Sequence, residues 1–391
     1  MIGAGVFAAF APAARAVDAR GGLLFAALGL AALVAYCNAA SSARLAALYP
    51  ESGGTYVYGR RRLGDFWGFL AGWGFVAGKT ASCAAMALTV GAYAFPGHAR
   101  LIAVAAVGAV TLLNLFGVQK SALATRVIVA VVLAVLAVAV VVALLGPAAV
   151  PPPSTLMPQR PLGVLEAAAL LFFAFAGYAR IATLGEEVAD PARTIPRAVF
   201  IALAVTLLVY LAVAVALLHA LGPARLASST APIADAVAAA GAGALGPVVR
   251  AGAAVAALGS LLALVLGVSR TTLAMARDRH LPGFLAAVHP QRQVPHRAEV
   301  AVGLVVMVLV ALLDLRGAIG FSSFGVLVYY AIANASALTL RVAVVPIVGL
   351  AGCLVLAVAL PVSSVLPGLA LFAVGALVWV IRRKSRGQAA A

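Results

Sequence analysis

Two basic side chains, Lys79 and Arg180, fall inside long apolar stretches of the sequence. A charge inside a bilayer costs at least ~2.5–3.5 kcal/mol, so an intramembrane ionisable residue indicates a functional site by default. Lys79 lies near the middle of its stretch, too deep for its ammonium to reach the surface easily. Arg180 could bind a substrate carboxylate or a gating acid. In the alternative interpretation, each side chain snorkels or bonds a backbone carbonyl.

Two glycine-containing segments are expected to interrupt helices. Their residues are Ile2, Gly3, Ala4, Gly5 and Val6 in the first segment and Phe175, Ala176, Gly177 and Tyr178 in the second. Corresponding breaks in two halves of a membrane protein indicate a transporter binding site. The ends of the half-helices can bind an anionic group through backbone N–H groups and a positive dipole. Alternatively, the glycines only allow helices to cross closely.

The other polar candidates have simpler interpretations. Ser260 and Ser269 could approach a sodium-like ion site, although such hydroxyls more often bond back to their own helix. Glu186 and Glu187 are expected to pair with nearby arginines and to steady a cytoplasmic gate. Asn114 and Asn334 are expected to join helices. The cysteines and histidines fit no metal motif, and nothing resembles a nucleophile–base pair, so we predict no metal, no cofactor and no enzyme.

The amino-acid composition indicates whether these residues lie in a water-soluble fold or in a membrane. Apolar residues make up 65% of the 391 residues, charged residues only 10%, and the mean hydropathy is +1.13. A soluble fold of this length could not hide so much apolar surface. A soluble enzyme, a disordered chain and a disulfide scaffold are therefore excluded.

The helices that must hold the candidate residues are long apolar runs. A membrane-spanning helix needs about 20 mostly apolar residues. We predict eleven full spans and a shorter apolar piece, 2–14, before them. The spans are approximately 22–42, 66–95, 101–118, 127–145, 164–185, 198–221, 248–275, 300–314, 318–340, 343–360 and 362–381.

The distribution of basic residues predicts the orientation. Arg60, Arg61 and Arg62 follow the first full span, and the same side receives most of the later Lys and Arg residues. The positive-inside rule places that side in the cytoplasm. The chain is therefore predicted to be a multi-pass protein of the cytoplasmic membrane with its C-terminus in the cytoplasm. The net charge of +16 is explained in this way, and no nucleic-acid partner is expected.

Four sets of residues, in order along the chain, resemble the amino acid–polyamine–organocation (APC) transporter superfamily. The segment 2–7 is similar to the glycine-rich break in helix 1, and 50–58 to the motif after helix 2. The segment 172–178, followed by 186–198, resembles helix 6 and the loop behind it. The segments 269–270, 275–278 and 281–282 resemble the end of helix 8. Together these motifs are typical of the superfamily, but they do not specify a substrate.

This resemblance implies an all-α, LeuT-like transporter fold with about 11–12 transmembrane helices in five-plus-five inverted repeats. The repeats would span about 1–146 and 163–341, with peripheral helices at 343–381, in a single transmembrane domain. Met1 falls inside the break of helix 1, so we expect the first half of that helix, about ten residues, to be missing.

The resemblance also implies alternating access to a central site. Amide groups between Gly3 and Val6 would hold an amino acid's carboxylate, and carbonyl groups between Phe175 and Gly177 its ammonium. Proton-coupled relatives often carry a lysine in helix 5, where Val132 stands here. We therefore hypothesise that Lys79 supplies the proton-switchable cation. Relatives often have an acid just after the break in helix 6, so Arg180 there argues against a cationic substrate.

The predicted function is secondary active transport of amino acids or related amines, with protons favoured over sodium as the coupling ion. Its partners would be the small-molecule substrate, protons and the lipid bilayer. An exchanger or exporter would use the same fold and stays open as an alternative. A second alternative is a non-transporting membrane sensor or degenerate subunit, which the incomplete helix 1 would favour.

Overall fold

The computed structural model describes residues 2–18, 20–51, 53–117, 122–149, 162–177, 190–340 and 344–388. These residues form α-helices joined by short turns, with no β-strand among them. The helices are α1 (Ala4–Ala8), α2 (Phe10–Ala16), α3 (Gly21–Leu48), α4 (Thr55–Leu63), α5 (Asp65–Ala94), α6 (Ala99–Leu115), α7 (Ala122–Leu145), α8 (Gly163–Phe175), α9 (Pro191–Ser228), α10 (Pro232–Ala239), α11 (Gly246–Arg277), α12 (His296–Leu312), α13 (Leu315–Leu338), α14 (Val344–Ala359) and α15 (Val362–Gln388).

Eight of the described helices are long and apolar enough to cross a membrane: α3, α5, α6, α7, α9, α11, α13 and α15. The other three predicted spans correspond to α8, α12 and α14, whose helices have 13, 17 and 16 residues. These are shorter than the roughly 20 residues of a full span. Helix α8 ends at the predicted break, and α12 begins with a charged first turn. The all-α membrane fold is therefore confirmed, with eight full-length spans among the described residues instead of eleven.

Helices α5 and α13 form the centre of the bundle, and α7 and α15 lie at its surface. The most apolar windows of α5 and α13 are 78% and 83% buried, whereas those of α7 and α15 are 22% and 17% buried. An apolar helix that stays exposed in the protein alone must bury its surface in lipid. The central pair crosses where Gly78 on α5 contacts the backbone of Gly325 on α13, and a Cβ at Gly78 would lie 3.2 Å from that backbone. Lys79 is the next residue on α5, so this crossing fixes its position along the bundle.

The N-terminal apolar piece is a kinked helix. Gly3 has extended backbone angles and precedes α1, and Ala9 separates α1 from α2. Pro12 has no N–H group to donate to the carbonyl of Ala8, which is a common cause of such a kink. The first predicted break therefore lies at Ile2 and Gly3, while Ala4, Gly5 and Val6 already belong to a helix.

Candidate functional site

The two predicted breaks lie beside each other, because α1 and α8 cross at Gly5. A Cβ added at Gly5 would lie 2.6 Å from the Cα of Ala174, so only glycine allows this approach. Ala174 is followed by Phe175, the last residue of α8, and then by Ala176 and Gly177. Close packing, the alternative interpretation of the glycines, thus applies to Gly5. The same contact also brings the first break to the second.

Two buried tyrosines bind carbonyl groups next to the breaks. The hydroxyl of Tyr93 on α5 donates to the carbonyl of Phe7 at 3.0 Å. The hydroxyl of Tyr210 on α9 donates to the carbonyl of Ala174 at 2.8 Å. Both tyrosines are fully buried, with exposed fractions of 1% or less. A backbone carbonyl away from water needs such a donor, so these tyrosines stabilise the broken segments.

Lys79 binds the second break directly. Its ammonium donates a 3.0 Å hydrogen bond to the carbonyl oxygen of Ala176, one residue beyond the end of α8. The side chain is only 6% exposed. Among the described residues, no carboxylate lies within 4 Å of the ammonium. The structure therefore joins two features that the sequence presented separately, the intramembrane lysine and the interrupted helix.

Ser260 on α11 lies against the first break. A Cβ at Gly3 would come within 2.2 Å of the Ser260 hydroxyl oxygen, so Gly3 and Ser260 are in close contact. The hydroxyl of Ser260 donates to the carbonyl of Ala256 at 2.8 Å, and that of Ser269 donates to Val265 at the same distance. Both serines thus bond back to their own helix, as the simpler interpretation predicts. Ser269 lies more than two turns of α11 away from Ser260, so the two do not share one site.

Four candidates lie outside the described residues: Tyr178, Arg180, Glu186 and Glu187. Their predicted roles in substrate binding and gating stay predictions. Another acidic residue, Glu51, forms an exposed ion pair, and its carboxylate lies 3.1 Å from the Arg61 guanidinium.

Sequence reasoning missed a polar cluster that joins α4, α5 and the segment after α11. The hydroxyl of Tyr56 donates to Asp278 at 2.5 Å and lies 2.8 Å from Nδ1 of His280. Arg60 contacts Asp278 at 2.6 Å and Asp65 at 3.2 Å. Three elements on the predicted cytoplasmic side are tied together in this way, which suits a gate.

Burial shifts the pKa values of two groups in this cluster, His280 and Tyr56. Burial lowers the pKa of the His280 imidazole below its usual value and outweighs the attraction of Asp65. Burial and the hydrogen bond to Asp278 raise the pKa of the Tyr56 hydroxyl, which therefore stays a donor. Although His280 fits no metal motif, it is 5% exposed and hydrogen-bonded. Its position in a long polar connection gave no signal of this burial.

The two asparagines do join helices, as predicted. Asn334 on α13 donates to Asn38 on α3 at 2.6 Å and accepts from Ser41 at the same distance. Asn114 on α6 donates to the carboxylate of Glu299 on α12 at 2.5 Å. Glu299 is fully buried and is another residue that sequence reasoning missed, because its place at the end of a polar loop suggested exposure.

Comparison with known proteins identifies the family. The profile of the amino acid permease family matches residues 1–389, almost the whole chain. The chain belongs to the amino acid permease family. This membership confirms the resemblance to APC transporters that the four motifs indicated.

Relatives of this amino acid permease family member include transporters from bacteria and from humans. An uncharacterised transporter of Mycobacterium tuberculosis (strain ATCC 25618 / H37Rv) is 66% identical, and the match covers 98% of this chain and 88% of the relative. A methylthioribose transporter of Bacillus subtilis is 29% identical over 90% of this chain and 83% of its own length. A human cationic amino acid transporter is 28% identical over 87% of this chain and 57% of its own length. A multi-pass membrane transporter family thus accounts for the apolar helices.

Proposed function

We propose that this permease family member is a secondary active transporter of amino acids or related amines that works by alternating access. The observation that carries the proposal is the hydrogen bond from Lys79 to Ala176 at the broken end of α8. Family membership supports amino acids as the substrate class. The branched-chain amino acid permease of Bacillus subtilis, 26% identical over 80% of this chain, points the same way.

The substrate would bind between the two breaks. Backbone amides between Ile2 and Val6 would hold its carboxylate, because the start of a helix presents unpaired N–H groups and a positive dipole. Carbonyl groups from Phe175 to Gly177 would hold its ammonium, and Tyr178 remains a candidate for substrate binding. The close contact of Gly5 with Ala174 supports this arrangement, since it puts both sets of backbone groups in one place.

The Lys79 ammonium donates to the carbonyl of Ala176 in the structure, which would leave the neighbouring carbonyls of the break for the substrate's ammonium. Loss of the proton from Lys79 would weaken its bond to the broken end of α8, so that the proton and the substrate would bind the same conformation and cross the membrane together. Lysine is suited to such a switch, because its protonation responds readily to burial. We propose that Lys79 couples transport to protons in this way. Arg180, Ser260, Ser269, Glu186 and Glu187 remain further candidates for coupling and gating.

The proposal also includes the orientation in the membrane, the two repeats and the closure of the cytoplasmic side. The chain would lie in the cytoplasmic membrane with its C-terminus inside, as the basic residues predict. Two inverted repeats, about 1–146 and 163–341, would rock against each other around the central site, and 343–381 would be peripheral. The cluster around Tyr56, Arg60 and Asp278 would hold the cytoplasmic side closed, because it ties α4 to the segment after α11.

Uptake by proteoliposomes tests the proposal. The purified chain is reconstituted and offered a panel of labelled amino acids, with and without an inward proton gradient; empty liposomes serve as the control. Saturable uptake of at least one amino acid is expected. Exchange against preloaded substrate without stimulation by the gradient would favour an exchanger. The absence of both uptake and exchange across the panel would favour a non-transporting membrane protein.

A further inference from the structure

Glu299 is a carboxyl group with no exposure to solvent, held between three helices. It lies in the first turn of α12, and its Oε1 accepts a 2.5 Å hydrogen bond from Nδ2 of Asn114 near the end of α6. The same Asn114 nitrogen lies 3.4 Å from the carbonyl of Leu262 on α11. Buried carboxyl groups are rare and need a partner for each oxygen. Glu299 belongs neither to the substrate site nor to the cluster around Tyr56.

The Glu299–Asn114 pair leaves two buried oxygen atoms without a hydrogen-bond donor. Oε2 of Glu299 and Oδ1 of Asn114 are both buried, and neither has a hydrogen-bond partner among the residues that the structure describes. Both atoms are acceptors when the carboxyl group is ionised. A proton on the carboxyl group turns one of these acceptors into a donor and makes the acid complementary to the amide. The geometry therefore fits the protonated acid better than the carboxylate.

The surrounding groups allow the proton to leave. Ser269 on α11 approaches the carboxyl group, but its hydroxyl donates to the carbonyl of Val265 at 2.8 Å. Arg270, also on α11, attracts a negative charge on Glu299. Cys83 on α5 lies within electrostatic range of both Glu299 and Lys79. His296 begins α12, one turn before Glu299. Burial, the larger effect, favours the neutral acid, whereas Arg270 favours the ion.

We propose that Glu299 and Asn114 form a proton-binding site, occupied in this conformation, whose proton is exchanged during transport. The inference rests on the proposed transport function and adds a second proton site to Lys79. Two helices connect this site to the substrate site. Helix α11 carries Ser269 beside Glu299 and Ser260 beside Gly3, about 13.5 Å apart along the axis at 1.5 Å per residue. Helix α5 carries Cys83 one turn after Lys79.

The Glu299→Gln variant tests the proposal in the full chain reconstituted in liposomes. A glutamine amide donates to Oδ1 of Asn114 and still accepts from Nδ2, so it mimics the permanently protonated acid. We expect the variant to retain exchange of labelled against unlabelled amino acid without a gradient. It is expected to lose gradient-driven accumulation and the proton movement that a trapped pH-sensitive dye reports. Glu51→Gln, the same change in an exposed ion pair, is the matched control and should lose neither.

Two outcomes would overturn the proton assignment. In the first, Glu299→Gln keeps accumulation and proton movement at the level of Glu51→Gln, which would make the pair purely structural. In the second, the variant loses a response to a sodium gradient and keeps its response to protons, which would make the site a sodium site.

Asn114→Asp is the second variant, and it keeps the test decisive if Glu299→Gln lacks exchange. Two carboxyl groups side by side hold a shared proton more tightly. The pH profile of uptake should then shift to higher pH, and an unchanged profile would contradict the proposal.

If the wild-type chain transports no amino acid at all, the proposed function fails separately from the proton site. In that case, the unfolding temperature of Glu299→Gln in detergent should rise relative to that of the wild type as the pH is raised, and a difference that does not change with pH would overturn the site.

Discussion

The ammonium of Lys79 on α5 and the carbonyl of Ala176, just beyond the end of α8, are joined by a 3.0 Å hydrogen bond. The bond links a buried charge to an interrupted helix inside a membrane protein. Either feature alone has a simpler explanation, since a lysine can donate to any backbone carbonyl and a glycine can allow two helices to cross closely. Their contact indicates a site whose backbone acceptors are available to an ammonium group, whether that of Lys79 or of a substrate.

Substrate analogues should reveal the carbonyl acceptors at the break in α8. An analogue that lacks the amino group cannot bond the carbonyls between Phe175 and Gly177. A hydrogen bond to a charged group contributes about 1.5–3 kcal/mol, so inhibition of uptake should weaken roughly tenfold or more. The concentration for half-inhibition of labelled uptake measures this, with the parent amino acid as the reference. Equal inhibition by both compounds would contradict the assignment.

Gly5→Ala should disturb the crossing of α1 and α8. The added Cβ would lie 2.6 Å from the Cα of Ala174, and overpacking of this kind costs about 1–3 kcal/mol. We expect a lower unfolding temperature and reduced uptake. Gly29→Ala on α3 is the matched control, because nothing lies within 4 Å of the Cβ it adds. If the two variants unfold at the same temperature, the close crossing is wrong.

Tyr56→Phe should weaken the cluster on the predicted cytoplasmic side. The change removes the hydroxyl that bonds Asp278 at 2.5 Å and His280 at 2.8 Å. Each lost hydrogen bond costs about 0.5–1.5 kcal/mol, and the partners are left partly buried. Chemical unfolding in detergent measures the change. Tyr36→Phe, at a tyrosine that is 47% exposed, should have little effect, and an equal loss in both variants would contradict the role of the cluster.

His280 should make stability depend on pH. Its pKa in the folded protein is lowered by burial, whereas an unfolded chain has the ordinary value of about 6.5. As pH falls, the unfolded chain takes up the proton first, so the stabilisation is complete above about pH 6.5 and decreases below it. The unfolding temperature measured at about pH 7.5 and about pH 5.5 should fall less in His280→Gln than in the wild type. The exposed His98→Gln control should behave like the wild type.

The helices could be predicted from the sequence because an apolar run of about 20 residues has one stable form in a membrane. Lys79 and the two breaks were also predicted, since a charge or a flexible backbone is costly there. Their contact could not be predicted, because it depends on how α5 crosses α13 at Gly78 and how α1 crosses α8. Glu299 was missed for a related reason, since a glutamate next to a polar loop is buried only through the packing of neighbouring helices.

The most direct test of the central claim is proton-driven accumulation of a transported amino acid by three variants at Lys79 and at a control position. Lys79→Gln removes the charge, Lys79→Arg keeps a charge that does not titrate, and Arg44→Gln removes an exposed charge elsewhere. We expect both Lys79 variants to lose the stimulation by an inward proton gradient, while Arg44→Gln keeps it. Full stimulation in Lys79→Gln would contradict the role of Lys79 at the broken helix.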